Sequence, residues 1–281
     1  MNDRTWASLR ADARARVDER DAQWIVERAS GWDGAELVAH LDEVVPERAY
    51  VRLHDMVDRR VAGEPLQYVL GAWGFRTLDL LVDRRVLIPR PETETTVEVA
   101  LEQAKRVDDD PVVVVDLGTG SGAIALSMSA EHDTAEVWAT DASADALEVA
   151  RANLTGAGSR VAPRVRLCEG WWFDALPAEL RRRVHLVVSN PPYVADDEAL
   201  PPEVGDWEPV GALFAGPTGL EAIELVLHQA GEWLADHGRV VLELAPHQSE
   251  PATALARAAG YAEVEVRPDL TGRDRVLVAR A

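Results

Sequence analysis

Apolar positions follow two different periods along this chain, and the change between them divides it. Over residues 1 to about 70 the spacing is helical. Trp6, Leu9 and Ala13 share one face, and so do Trp24, Ile25, Arg28 and Ala29. Ser30-Gly31-Trp32-Asp33-Gly34 interrupts the pattern, Ala35 to Leu41 resumes it, and Pro46 to Val61 forms a further helix that Gly63-Glu64-Pro65 ends. A small helical bundle is predicted. Between residues 72 and 91, Leu78, Leu80 and Val82 alternate, and Val86-Leu87-Ile88 follows an Asp83-Arg84-Arg85 turn, which predicts a hairpin. Pro89-Arg90-Pro91 breaks it, and Glu92 to Val107 returns to helix.

From Asp108 onward, predicted strands and helices alternate. The strands are Val112 to Asp116, Glu136 to Thr140, Arg164 to Leu167, Leu186 to Ser189, Arg239 to Leu244, Ala262 to Val266 and Val276 to Ala279. The helices between them are Gly122 to Ala130, Ala144 to Leu154, Gly219 to Leu234 and Ala252 to Ala259. Such alternation implies an α/β fold, with a doubly wound, mainly parallel seven-stranded sheet of Rossmann-like type. Only Arg267 to Arg275 separates the last two strands, too short for a helical crossover, so they are expected to be antiparallel. The expected organisation is a helical domain over 1–71, a β-hairpin connector over 72–94 and a catalytic-type α/β domain over 95–281.

Composition narrows the class of function. A formal charge of -20 opposes general nucleic-acid binding, because phosphate contacts need clustered cations. No apolar run approaches the roughly 20 residues of a membrane span, and Met1-Asn2-Asp3-Arg4-Thr5-Trp6 has no signal pattern. A single cysteine, Cys168, forms no disulfide framework or metal spacing, and the seven histidines are scattered. These features point to a cytoplasmic protein without a metal.

Four segments carry candidate chemistry. Asn190-Pro191-Pro192-Tyr193 follows the apolar run His185 to Ser189, so it leaves the end of a buried strand as a stiff turn. It presents an amide oxygen, free backbone carbonyls and an aromatic ring. That set suits holding a planar NH2 group, as in methylation of an amide or an exocyclic amine. Asp116-Leu117-Gly118-Thr119-Gly120-Ser121-Gly122 passes from strand through glycines into helix, letting backbone approach a ligand closely. Through Ala123 the same glycines also fit a nicotinamide-dinucleotide fingerprint. Asp141, at the next strand end, suits either a ribose or a local helix cap. Trp172, after the third strand, suits either an adenine or ordinary burial. All lie at carboxyl strand ends of one sheet and can converge.

Further segments make the chain resemble the protein-(glutamine-N5) methyltransferases that modify peptide chain release factors. They are Gly63-Glu64-Pro65-Leu66-Gln67-Tyr68-Val69-Leu70-Gly71, Leu87-Ile88-Pro89-Arg90-Pro91-Glu92-Thr93-Glu94, Asp206-Trp207-Glu208-Pro209 with Ala212-Leu213-Phe214, and Asp269-Leu270-Thr271-Gly272-Arg273-Asp274-Arg275. The tetrad is shared with methyltransferases acting on adenine or guanine amines, which leaves a nucleic-acid base amine as the alternative substrate. The chain departs from the pattern at Thr77, where the family usually has glycine. The resemblance implies S-adenosyl-L-methionine over Gly118, Thr119, Gly120, Ser121 and Gly122, with Asp141 on its ribose, Trp172 near its adenine and Asn190 at its methionine end. Asn190, Pro191, Pro192 and Tyr193 would hold the acceptor, the glutamine of a Gly-Gly-Gln loop. The helical domain would dock the release factor, Arg90 to Glu94 would line the approach, and the enzyme would act as a monomer, without direct nucleic-acid or membrane contact.

Overall fold

The computed structural model describes residues 4–281, so Met1-Asn2-Asp3, read above as part of the N-terminus, lie outside the described residues. The chain forms two compact units. The first runs to Ala72 and takes in Pro201–Trp207; the second holds Trp73–Leu200 and Glu208–Ala281.

The first unit is built on helices Trp6–Arg14, Glu19–Ser30, Gly34–Ala39, Glu47–Val61 and Leu66–Leu70. Their starts follow from side-chain caps. Thr5 and Ser8 cap each other's backbone, Asp18 accepts from Arg20 N, and Asp33 accepts from Ala35 N and Glu36 N. The apolar faces meet in a core that includes Trp6, Leu9, Ile25, Leu37, Leu53 and Met56. The Gly63 to Gly71 segment is fixed by Glu64, which is buried and takes a two-point contact from Arg59 at 2.8 and 2.6 Å. Arg60 reaches Glu203 at 3.2 Å, attaching the Pro201–Trp207 excursion to this unit.

The second unit carries the seven-stranded sheet expected from the alternation. Its strands are β1 Val112–Leu117, β2 Ala135–Asp141, β3 Val165–Glu169, β4 Val184–Ser189, β5 Leu234–Glu243, β6 Glu263–Pro268 and β7 Asp274–Arg280. They lie in the order β6-β7-β5-β4-β1-β2-β3. The pairs from β5 through β3 are parallel, whereas β7 is antiparallel to both β5 and β6. Every residue of β1 is buried, as a central parallel strand requires. Val112 and Val114 face one core with helices Pro91–Ala104 and Ala123–Glu131. Val113 and Val115 face the other with helices Glu221–Ala230 and Ser249–Ala258. Sheet order reverses between β1 and β4, which opens a crevice at their carboxyl ends.

Two expectations are corrected. The hairpin pairs Ala72–Phe75 with Leu78–Leu81, so its turn is Arg76-Thr77 rather than Asp83-Arg84-Arg85. Arg76 takes the left-handed φ of +51 and is held by Glu131 at 2.6 Å, Glu98 at 2.8 Å and, through its backbone N–H, Glu94 at 2.9 Å. These carboxylates stabilise a conformation that glycine would adopt freely, and the family departure at Thr77 falls in this same turn. Val86 and Ile88 are buried without forming a strand, because the Ile88 N–H bonds to Glu208 Oε2 at 3.1 Å. The helix placed over Gly219 to Leu234 spans only Glu221–Ala230, and Leu234 already opens β5. Among the described residues, no helix is long and apolar enough to cross a membrane.

Candidate active site

Strand register alone brings the expected site residues together. Asp116 of β1 lies opposite Val188 of β4. Two residues further along each chain, Gly118 and Asn190 therefore leave the sheet side by side. On the other flank Leu117 lies opposite Thr140, and Asp141 opposite Glu169, so Asp141 and the segment reaching Trp172 emerge at the same edge. Ser189 Oγ donates to the Leu117 carbonyl at 2.6 Å, fastening the ends of β4 and β1.

The glycine turn is open backbone over a buried acid. Gly118 and Gly120 have φ of +71 and +55, which side-chain-bearing residues rarely adopt, and a Cβ on Gly118 would extend to 4.0 Å from the Trp172 ring. Thr119 and Ser121 are buried, and Thr119 Oγ1 donates to Asp116 Oδ2 at 2.6 Å. That same oxygen accepts from Ala125 N at 3.1 Å, while Asp116 Oδ1 is buried and has no partner. Burial raises the Asp116 carboxyl to about 7, against the lowering effect of the Thr119 and Ala125 bonds.

Asp141 accepts from Gly120 N at 2.9 Å and from Ser143 N at 2.8 Å, so it shapes the glycine turn directly. Helix Ala144–Gly156 is capped by Ser143 itself, whose Oγ accepts from Ala146 N. The Asp141 carboxylate thus has acceptor capacity beyond these two bonds, and burial raises its pKa. Trp172 is partly buried with φ of +45 beside Gly118, whereas neighbouring Trp171 is exposed.

The tetrad is held from three directions. Asn190 Nδ2 donates to Thr93 Oγ1 at 3.2 Å. Pro191 is buried, and Pro192 and Tyr193 are partly buried. The Tyr193 carbonyl accepts from Gln248 Nε2 at 2.9 Å, and the Tyr193 hydroxyl lies 3.5 Å from Glu243 Oε1. Burial first, then the Glu243 charge, raises the Tyr193 pKa. Gly219 packs so closely that a Cβ there would stand 2.5 Å from the Tyr193 carbonyl oxygen. Farther out, Glu208 takes the Arg90 guanidinium and the Ile88 N–H, which joins the Leu87 to Glu94 segment to the Asp206 to Pro209 segment.

Gln248, Gly219 and Glu243 were not among the expected site residues, and Thr93 was expected only as part of the Arg90 to Glu94 lining of the approach. Glu243 was legible only as a polar residue within the apolar run Val240 to Leu244, and Thr93 only as one of several polar residues in Glu92-Thr93-Glu94-Thr95-Thr96. Among the described residues no group of three or more His, Cys, Asp or Glu is placed to hold a metal.

Comparison with known proteins gives this arrangement a family. A model of the PrmC N-terminal domain matches residues 4–71, and one of the methyltransferase small domain matches residues 101–203. A release factor glutamine methyltransferase of Cereibacter sphaeroides is 41% identical over 275 residues, 95% of this chain and 94% of that protein. One of Xylella fastidiosa is 39% identical over 274 residues, 97% of each chain. The crystal structure of a methyltransferase from Pyrococcus furiosus shares the fold, with a TM-score of 0.51 and 19% identity over 82% of this chain and 96% of that one. The chain belongs to the release factor glutamine methyltransferase family.

Proposed function

We propose that this enzyme transfers a methyl group from S-adenosyl-L-methionine to the side-chain amide nitrogen of the glutamine in the Gly-Gly-Gln motif of peptide chain release factors. The observation that carries this reading is the juxtaposition of Asn190 with the glycine turn, its NH2 occupied by Thr93 so that Oδ1 is left to accept from another amide.

The residues present fit the cofactor. Gly118 and Gly120, both at positive φ, form a bare cradle whose backbone is open to a ligand, and Asp116 Oδ1 is a buried acceptor in need of a donor. Asp141 retains lone pairs suited to two ribose hydroxyls, and the Trp172 ring beside Gly118 suits an adenine face. Bound there, S-adenosyl-L-methionine supplies a methyl group on a sulfonium centre.

The chain's own contribution is to hold a poor nucleophile. A carboxamide nitrogen has its lone pair delocalised into the carbonyl, and its pKa is beyond reach of a side-chain base. Asn190 Oδ1 and the Pro191 carbonyl accept its two N–H bonds, which strengthen as nitrogen becomes positive. Pro192 keeps the turn stiff, and the Tyr193 ring packs on the amide plane to limit rotation. Alignment of this kind is worth up to roughly 7–11 kcal/mol of barrier. The proton lost from nitrogen leaves to water.

The first unit serves as the docking domain for the release factor body, the hairpin segment as connector, and Arg90 to Glu94 as the lining of the approach. The test is incorporation of labelled methyl into purified release factor. Labelling of the wild-type factor but not of its Gln→Ala loop variant supports the reading; equal labelling of both, or labelling of nucleic acid instead, rejects it.

A further inference from the structure

The segment Asp269 to Arg275 takes no part in the glycine turn or the tetrad. It forms the turn between β6 and β7, closed by Pro268 opposite Asp274. Strand register places this turn. Ser189 of β4 lies opposite Leu242 of β5, so the tetrad leaves the sheet where β5 ends. β7 runs antiparallel to β5 and begins there, with Val276 opposite Glu243. Leu244 N donates to the Arg275 carbonyl at 2.9 Å, and Arg275 Nη1 donates to the Leu244 carbonyl at 3.1 Å. The Tyr193 hydroxyl lies 3.5 Å from Glu243 Oε1, one residue from that anchor. The turn and the tetrad therefore share one edge of the sheet.

The turn is stiff. Asp269 and Arg275 are each 8% exposed, with Arg275 Nε 3.6 Å from Asp269 Oδ2. Asp269 Oδ1 accepts from Thr271 Oγ1 at 2.6 Å, from Thr271 N at 2.8 Å and from Arg273 N at 3.2 Å. Asp269 N donates to the Arg273 carbonyl at 2.8 Å, and Gly272 N closes the turn onto the Asp269 carbonyl at 2.9 Å. Out of this frame stands Leu270, 99% exposed and the most exposed large apolar side chain among the described residues. An exposed leucine is by itself ordinary on a protein surface. One held out by a braced turn, at the sheet edge that must receive a protein, is a presented group.

We infer that the Asp269 to Arg273 turn is a contact for the release factor, with Leu270 entering an apolar hollow on the factor beside the loop that carries the acceptor glutamine. This rests on the methyl-transfer reading, which makes the substrate a folded protein rather than a free amide. A glutamine that reaches the tetrad brings its main chain to the sheet edge, so the polypeptide flanking it passes over neighbouring surface. The turn is that surface on the β5 and β7 side. Because the turn is ordered by its own hydrogen bonds, little conformational freedom is lost when it is covered. Leu270 touches neither the methyl donor nor the amide, so it acts on binding of the factor and not on the chemical step.

Leu270→Ser tests the contact without a folding complication, because so exposed a side chain supports no core. Burying a leucine on contact is worth about 10-fold to 100-fold in affinity, so KM for the release factor, and its Kd for the cofactor-free enzyme, should rise by that factor. Both kcat at saturating factor and KM for S-adenosyl-L-methionine should stay within about twofold, and Leu270→Met should remain within about threefold of wild type throughout. An unchanged KM and Kd for the factor in Leu270→Ser, or a loss confined to kcat, overturns the contact. So does a wild-type dimer that Leu270→Ser dissolves while KM for the factor stays the same, since a second copy of this chain is then the occupant. Weaker binding of the factor by Leu270→Ser, with no methyl transfer by the wild type, leaves the contact standing and removes the functional reading instead. Methyl transfer by the wild type, with binding indifferent to Leu270→Ser, removes the contact and leaves that reading in place.

Discussion

Ser189 Oγ donates to the carbonyl of Leu117 at 2.6 Å, joining the last residues of two strands that lie 72 positions apart in sequence. The glycine turn begins immediately after one of them and the tetrad immediately after the other. Ser189→Ala should leave that carbonyl unpartnered in a buried place, costing about 1–3 kcal/mol of stability. It should also slacken the alignment of the two segments, seen as reduced kcat. Denaturant unfolding and steady-state turnover on the same variant check both effects, and a variant equal to wild type in both would refute the coupling.

Asn190→Ala removes the proposed acceptor of the substrate amide. Turnover should fall by about 10²–10³, as for loss of one preorganised hydrogen-bonding group. Near-normal turnover would reject the role.

Asp141→Ala removes the carboxylate that holds Gly120 N and Ser143 N and is proposed to hold the ribose. Affinity for S-adenosyl-L-methionine should drop about 10-fold to 100-fold by calorimetry, with a smaller effect on kcat at saturating cofactor. Unchanged affinity would leave Asp141 a purely local brace.

Gly219→Ala places a Cβ at 2.5 Å from the Tyr193 carbonyl at a backbone φ of +73, so both contact and conformation oppose it. The expected cost is about 1–3 kcal/mol, together with displacement of Tyr193 and loss of turnover. A thermal unfolding midpoint and activity matching wild type would show that the turn relaxes without harm.

Two buried carboxyls make stability depend on pH. Asp116 and Glu243 have ordinary values of 3.8 and 4.5 and are each raised to about 7 by burial. Between those limits the native protein keeps protons that the unfolded chain has released, so its stability falls as pH rises through about 7. The cofactor-free protein should melt at a higher temperature near pH 6 than near pH 8, at about 1.4 kcal/mol per group per unit of pH within the window. Glu243→Gln should shrink that difference. A wild-type melting temperature that rises toward pH 8 would contradict the burial argument.

The sheet and the placement of the candidate site at its strand ends were legible because both follow from local pattern. Val112 to Asp116 carries a continuous β-branched run and reads as a buried strand, and Gly118 and Asn190 fall just beyond strands that pair in register. The hairpin was misplaced because its turn contains no glycine, asparagine or proline. Arg76 holds the left-handed position through carboxylates on two helices, one of them Glu131, 55 residues away. Glu243, and the contact of Thr93 with Asn190, were missed for a related reason. The partners of Thr93 and Glu243 lie 97 and 147 residues away, and nothing in a local window marks a threonine on a helix as the support of an amide just past the end of a distant strand.

Mapping the methyl group tests the central claim most directly. Release factor incubated with this enzyme and S-adenosyl-L-methionine, then digested and fragmented in a mass spectrometer, should carry one added methyl on the side-chain amide of the Gly-Gly-Gln glutamine, and Asn190→Ala enzyme should leave it nearly unmodified. A methyl found on another residue, or transfer that proceeds undiminished without the Asn190 carboxamide, would contradict the account.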